Sequence, residues 1–213
     1  MKIKLNELNT ITLIILITLI VFGIIFMLIT NRRKKWSTSE LAYASLSLAL
    51  SFILSYIRLF KLPQGGSVTP ASMLPLMAFS YVFGTIPGLV ACFAYGLIQF
   101  IQNPTFISLL QVLLDYPLAF GSLALCGTVV HLPPKKNSIA SWLIGIALAS
   151  SVRFVCHVIS GTVFFAEYAS GSGYTPLIYS VVYNSFVFVD AAVCAIIICI
   201  PQIRKVFAQI RKS

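Results

Sequence analysis

Charge is what this sequence has least of. Only 9% of its 213 residues are charged and just five are acidic, whereas 59% are hydrophobic. Mean hydropathy is +0.96. A soluble domain carries about 25% charged residues, so this chain lacks the polar groups to cover a water-exposed surface. The same apolar excess excludes disorder. Internal repeats, low-complexity linkers and a composition break that would mark a second domain are missing. Cysteine is scarce and odd in number: Cys92, Cys126, Cys156, Cys194 and Cys199 all sit inside apolar runs. None has zinc-ligand spacing. Cys156 precedes His157, but adjacent residues point to different helix faces, so the five read as small packing residues and no metal is expected. No G-x-x-x-x-G-K-[ST] run exists, so the chain has no phosphate loop with which to hydrolyse ATP. What remains is an integral membrane protein built as one bundle.

A spanning helix needs about 20 apolar residues. Seven runs approach that length: about 10–30, 39–60, 70–84, 86–103, 107–131, 138–165 and 174–200. The third and fourth are short and are joined by Gly84, Pro87 and Gly88, a turn with almost no loop. The first is long for a signal peptide and is followed by Arg32 to Lys35 instead of a small-residue cleavage site, so a retained helix is expected. Ser37-Thr-Ser-Glu40 reads as a capping box opening the second helix. These divisions predict three parts: a tail, anchor helix and basic linker over 1–36, a membrane domain over 37–203, and a basic cytoplasmic tail over 204–213.

The net charge of +10 is concentrated in three clusters, Arg32 to Lys35, Lys135 with Lys136, and Arg204, Lys205, Arg211 and Lys212. Each abuts an apolar run, as topogenic charge does under the positive-inside rule. No aromatic-interleaved basic motif accompanies them, which argues against nucleic acid. Alternate crossings place all three clusters, and the C-terminus, on the cytoplasmic side. The segments 61–69, 104–106 and 166–173 then face outside with the N-terminus. Lys2, Lys4, Arg58 and Lys61 run against the rule.

Ionisable groups inside a membrane are costly and mark functional or paired positions. Here they are Asp115, Arg153, His157 and Asp190, with Asn184 alongside. At about 1.5 Å of rise per residue, Asp115 and His157 lie roughly 12 Å below the outer ends of their helices and Asn184 roughly 15 Å. Three polar groups on three helices therefore meet at one level, with Tyr116 and Tyr179 close by and Phe164, Phe165 and Tyr168 nearer the surface. The expectation is an outward-facing polar pocket with aromatic walls. Arg153, His157 and Gly161 share one helix face, and Gly161 would leave room for a ligand. Arg153 and Asp190, deeper still, are expected to form a buried structural ion pair. A carboxylate among aromatic rings suits a flat cation, and an amide and an imidazole add directional bonds. The residues themselves thus point to a small aromatic cation, or a proton.

Four segments carry a family resemblance: LPQGGSVTPASMLPL (Leu62 to Leu76), QVLLDYPLAFGSLALCG (Gln111 to Gly127), RFVCHVISGTVFFAEYA (Arg153 to Ala169) and YSVVYN (Tyr179 to Asn184). Together they resemble the thiamine-specific S component of energy-coupling factor transporters, over roughly residues 38–205. The resemblance implies an all-α membrane protein with a six-helix S-component bundle, here preceded by one additional N-terminal transmembrane helix. It also implies a multi-pass protein of the bacterial plasma membrane that captures thiamine from outside, needs no cofactor, and works with a T component and two ATPase subunits. Its substrate-binding positions fall on Asp115, Tyr116, His157, Gly161, Phe165, Tyr179 and Asn184. Its lid falls on Gln64, Gly65, Gly66, Ser67 and Val68, running on to Thr69. Asp115 stands where the family has glutamate, Phe165 stands where it has tryptophan, and the lid has no aromatic residue. The second apolar run carries small residues four apart, Ser45 with Ala49 and Ser47 with Ser51. Small-xxx-small faces allow close helix contact in lipid; the resemblance implies that this helix packs against the T component, and packing inside the bundle is the other reading. Three other readings remain open: an S component for another vitamin, an intramembrane hydrolase using His157 and Asp115 with a serine such as Ser160, and proton-coupled transport by this chain alone.

Overall fold

The computed structural model describes residues 36–62, 66–131 and 138–211. The apolar run at 10–30 and the clusters Arg32 to Lys35 and Lys135–Lys136 lie outside the described residues, as do Gln64 and Gly65 of the expected lid.

The first described helix, α1 (Thr38–Tyr56), opens on the capping box expected from the sequence. The Ser37 hydroxyl accepts from the Glu40 N–H at 3.1 Å, and the Glu40 carboxylate accepts from the Ser37 N–H at 3.0 Å. The helix was expected to reach residue 60, but it stops at Tyr56 and the chain turns extended. Phe60–Lys61 (β1) then pairs antiparallel with Ser67–Val68 (β2). The expected lid is thus a hairpin, and bonds from Leu59 N to Val68 O and from Leu62 N to Gly66 O extend it on either side.

The third apolar run, 70–84, is only partly helical. Helix α2 spans Leu74–Phe83, about 15 Å of rise against a hydrocarbon core of about 30 Å. Thr69 to Met73 approach it as turns, with Ala71 at a φ of 65°. Irregular backbone at membrane depth survives only where protein covers it, and Thr69, Ala71 and Met73 are all buried. Gly84, at a φ of 104°, ends α2 and starts α3 (Thr85–Gln102) in one residue. A Cβ on Gly88 would lie 2.3 Å from the Ser80 hydroxyl, so α2 and α3 pack in direct contact there.

Helix α4 (Leu109–Val130) is capped by Ser108, whose hydroxyl accepts from Gln111 N at 3.1 Å. It is not uniform. Leu114–Leu118 forms a π-turn around Pro117, and Ser122–His131 tightens to 3₁₀ geometry. Proline has no N–H to continue the α-ladder, and a π-turn is the local solution that adds a residue. It carries Asp115 and Tyr116. Helix α5 (Ile139–Phe164) is capped by Ser138 and is followed by a 3₁₀ turn at Ala166–Ala169. Helix α6 (Pro176–Cys199) is capped by Thr175 and interrupted at Ser185. The tail then forms a further helix, α7 (Pro201–Ile210). Arg204 folds back to donate to the carbonyls of Ile198 at 2.6 Å and Cys199 at 2.9 Å, closing the end of α6, where a cation also meets the negative end of the helix dipole.

Among the described residues α1, α3, α4, α5 and α6 are long and apolar enough to cross a membrane, with α2 as the short sixth member of the bundle. Their outward faces carry Leu41, Leu46, Ile53, Ile101, Leu110, Val155, Val163 and Ile196 in exposed positions, as a lipid-facing surface requires. Aromatic rings fill the end of the bundle where α5 begins. There Tyr81 stacks on Trp142 at 3.7 Å, and Trp142 also meets Phe207 of α7 at 5.4 Å. The opposite end, where α5 finishes, is hollow.

Of the small-residue pairs, Ser45 and Ala49 are exposed, whereas Ser51 is fully buried and its carbonyl accepts from the Tyr95 hydroxyl at 3.0 Å. The Ser47–Ser51 face therefore turns toward the bundle interior at Ser51, and the described residues leave Ser45 and Ala49 exposed.

Candidate functional site

The hollow end holds a cavity of about 210 Å³ between α3, α4, α5, α6 and the hairpin. Its floor is a polar network from separate helices. Oδ2 of Asp115 accepts from the Gln111 amide at 2.7 Å and from the Ser160 hydroxyl at 2.7 Å. Oδ1 lies 3.1 Å from Nδ1 of His157. Nε2 of His157 faces the Nε of Arg153 at 3.4 Å. An arginine only donates, so Nε2 must accept and the proton sits on Nδ1, aimed at Asp115. Gln111 is itself oriented, because its carbonyl accepts from Ile107 N at 3.1 Å.

A carboxylate offers about four lone-pair positions. Three are taken here, and no described residue donates to the fourth, on Oδ1. The amide of Asn184 donates to the carbonyl of Ser180 at 2.9 Å, its hydroxyl at 3.1 Å and the carbonyl of His157 at 3.4 Å. These bonds fix which way the amide points, and no described residue donates to Oδ1 of Asn184, a residue that lines the cavity.

The walls are aromatic. Phe165 stacks on Tyr168 at 6.0 Å and 15°, and Tyr179 on Tyr183 at 6.3 Å and 9°. Tyr116 lines the cavity too, but its hydroxyl is committed to the α3–α4 loop. It donates to the Asn103 carbonyl at 2.8 Å and accepts from Thr105 N at 3.0 Å. The hairpin forms the roof: Gly66 N donates to the Tyr183 hydroxyl at 3.0 Å, and a Cβ on Gly66 would lie 2.9 Å from the Phe186 ring. The lid lacks aromatic residues in the described part of its own sequence but rests on two from α6.

All seven expected site residues line this one cavity, so the depth argument brings together what it should. Three details differ from expectation. Gly161 does not leave room for a ligand, since a Cβ there would lie 2.2 Å from the Ser180 hydroxyl. Its bare Cα lets α5 and α6 touch. Both ring nitrogens of His157 face protein groups, Nδ1 toward Asp115 and Nε2 toward Arg153, instead of being left for a ligand. The expected Arg153–Asp190 ion pair is not formed. Asp190 accepts from Thr69 N at 2.7 Å and from its hydroxyl at 3.2 Å, which anchors the base of the hairpin to α6. Arg153 instead donates to His157 and to the sulfur of Met73, with its guanidinium 4.5 Å over the Phe120 ring. The Asp190 carboxylate is thus occupied by Thr69, and the Arg153 side chain is turned to His157, Met73 and Phe120.

Sequence reasoning missed Gln111, Ser180, Tyr183 and Phe186. Helical spacing could have found three of them, since Gln111 lies four before Asp115, Ser180 four before Asn184 and Tyr183 four after Tyr179.

A bundle of apolar helices, with a cavity at one end that joins a carboxylate, an amide and stacked aromatic rings, defines a multi-pass membrane protein with a pocket for a small ligand. The model of the thiamine transporter protein family (Thia_YuaJ) matches residues 41–209. The thiamine transporter ThiT of Bacillus subtilis (strain 168) is 34% identical over 155 residues, covering 66% of this chain and 77% of that protein. The solved structure of ThiT from Listeria monocytogenes shares the fold at 21% identity, with a TM-score of 0.63 over 79% of this chain and 96% of that one. The chain belongs to the thiamine transporter protein family.

Proposed function

We propose that this chain captures thiamine from the outer face of the membrane in the cavity between the hairpin and Asp115, as the substrate-binding subunit of a transporter. The single observation that carries the reading is the Asp115 carboxylate, held by three donors, with a position on Oδ1 that no described residue fills, and walled by two stacked aromatic pairs. Thiamine is a permanent cation joined to an aminopyrimidine. Its thiazolium would lie against Phe165 and Tyr168, where ring faces favour a cation. The amine of the pyrimidine would donate to Oδ1 of Asn184 and of Asp115. Tyr179 and Tyr116 would flank the rings, and Gly66, Ser67 and Val68 would close above them.

The sequence contains no ATP-binding loop, so energy would come from outside the chain. A T component and two ATPase subunits, as in energy-coupling factor transporters, are the proposed source, with the exposed Ser45–Ala49 face of α1 as their contact. The basic clusters would place the C-terminus in the cytoplasm, and residues 1–36 would add an anchor to the domain at 37–203.

Isothermal titration of the purified chain with thiamine, riboflavin and biotin tests the ligand. One equivalent of thiamine and neither of the others is expected; preference for riboflavin or biotin would overturn the assignment. Proteoliposomes holding the chain alone should not accumulate thiamine under a proton gradient, and accumulation would favour the proton-coupled alternative. The hydrolase alternative has lost its geometry: Ser160 donates to Asp115, not to His157.

A further inference from the structure

Helix α7 takes no part in the cavity, and its residues suit neither water nor hydrocarbon alone. Ile203, Val206, Phe207 and Ile210 fall at i, i+3, i+4 and i+7, one apolar stripe along the helix. Gln202, Arg204, Lys205 and Gln209 take the other faces, with Arg211 at the end. Extended backbone at Ile200, followed by Pro201, breaks α7 away from the α6 span. A helix with an apolar stripe and a basic opposite face settles in the plane between headgroups and acyl chains.

Its packing agrees with that place. Ile203 and Phe207 rest on the bundle core, and Phe207 meets Trp142 at the start of α5. Val206, on the opposite edge of the stripe from Phe207, is 50% exposed, so the described bundle covers one side of the stripe and leaves the other. Arg204 is committed to the carbonyls that end α6. Lys205 is exposed, and no described carboxylate pairs with it or with Arg211. The described acids are all placed elsewhere: Asp115 and Asp190 lie within the bundle, Glu167 at its other end, and Glu40 in the capping box. The fifth acid, Glu7, lies outside the described residues. In the sequence, Arg32 to Lys35 precede α1 and Lys135–Lys136 precede α5, the two helices that begin at this end.

We infer that α7 is a docking surface for anionic phospholipids, with Lys205 and Arg211 on the phosphate headgroups and Val206 against the acyl chains. Charge and continuity both name this occupant. The two cations face no described acid, and exposed Val206 follows exposed Ile196 and Ile200 at the end of the α6 span. Each cation held near an anionic membrane surface is worth about fivefold in association. Under the proposed orientation this surface is the inner leaflet, and the inference holds whatever ligand the cavity takes.

Native mass spectrometry of the full chain, in micelles with equal phosphatidylglycerol and phosphatidylcholine, tests it. The wild type should retain the anionic lipid in preference, and Lys205→Gln with Arg211→Gln should lower that preference about fivefold or more. Lys205→Arg with Arg211→Lys keeps both charges and should keep the preference. All variants should unfold at the wild-type temperature in phosphatidylcholine micelles, which separates lost lipid contact from lost fold. Arg58→Gln with Lys61→Gln, at the far end of α1, should leave the preference unchanged; an equal loss there would reduce it to bulk charge and overturn the site. A wild type with no preference, or a preference that Lys205→Gln with Arg211→Gln does not alter, overturns the inference. Inorganic phosphate that displaces the anionic lipid at equal concentration would give the cations to a free ion and overturn it too. A partner protein that occupies α7 in place of lipid, and is lost with the same two substitutions, would do the same.

Discussion

Nδ1 of His157 on α5 lies 3.1 Å from Oδ1 of Asp115 on α4, closing a chain that runs from Arg153 through His157 to the carboxylate. Replacing Asp115 by Asn disturbs both charge and direction. Gln111 and Ser160 both donate to Oδ2 and would keep the new carbonyl there. The amide nitrogen would then face Nδ1 of His157, forcing the imidazole proton onto Nε2 against Arg153. Asp115→Asn should weaken thiamine binding by about 1–3 kcal/mol, roughly 5- to 150-fold. Isothermal titration checks this, and unchanged affinity would remove Asp115 from the site.

Gly161 faces Ser180 too closely for any side chain, with an added Cβ 2.2 Å from the hydroxyl. Gly161→Ala should lower stability by about 1–3 kcal/mol, the cost of overpacking. Adding Ser180→Gly should recover much of it. Thermal unfolding in detergent reads both. If Gly161 instead served only to admit a ligand, the single variant would lose affinity at unchanged stability.

Phe165 presents a smaller π-face to a cation than an indole would. Phe165→Trp should tighten thiamine binding by about 0.5–1 kcal/mol, some 2- to 5-fold, and Phe165→Ala should weaken it. A thiamine affinity indifferent to both changes would place the thiazolium elsewhere.

The hairpin is tied to α6 through Thr69 and Asp190. Asp190→Asn removes the charge from that anchor while leaving a carbonyl for the Thr69 N–H. The loss is about 1 kcal/mol and falls on the closed lid, so thiamine should dissociate about fivefold faster. Stopped-flow fluorescence measures that rate, and an unchanged rate would separate the anchor from lid closure.

Much of this architecture was legible because the bilayer sets element lengths. The runs at 86–103, 138–165 and 174–200 correspond to α3, α5 and α6 within a few residues, and the Ser37–Glu40 capping box is present. Depth counting put Asp115, His157 and Asn184 at one level and the three line one cavity, since the helical turns leading to them convert residue number into height. It failed where helices are irregular or where side chains choose among partners. The run at 70–84 is largely apolar, but burial by neighbouring helices lets its first four residues, 70–73, be turns. Asp190 and Arg153 lie at pairing depth, yet the Thr69 backbone N–H, part of a loop whose path no periodicity reports, takes the carboxylate first. The run at 107–131 reads as one helix, and nothing in its apolar pattern reports the π-turn around Pro117 that carries Asp115.

The structure of the complex with thiamine tests the central claim most directly. The account predicts one molecule under the hairpin, its amine within hydrogen-bond distance of Oδ1 of Asp115 or Asn184 and its thiazolium against Phe165. Thiamine found outside this cavity, or inside it with Asp115 still bonded only to Gln111, Ser160 and His157 and no ring on Phe165, would contradict it.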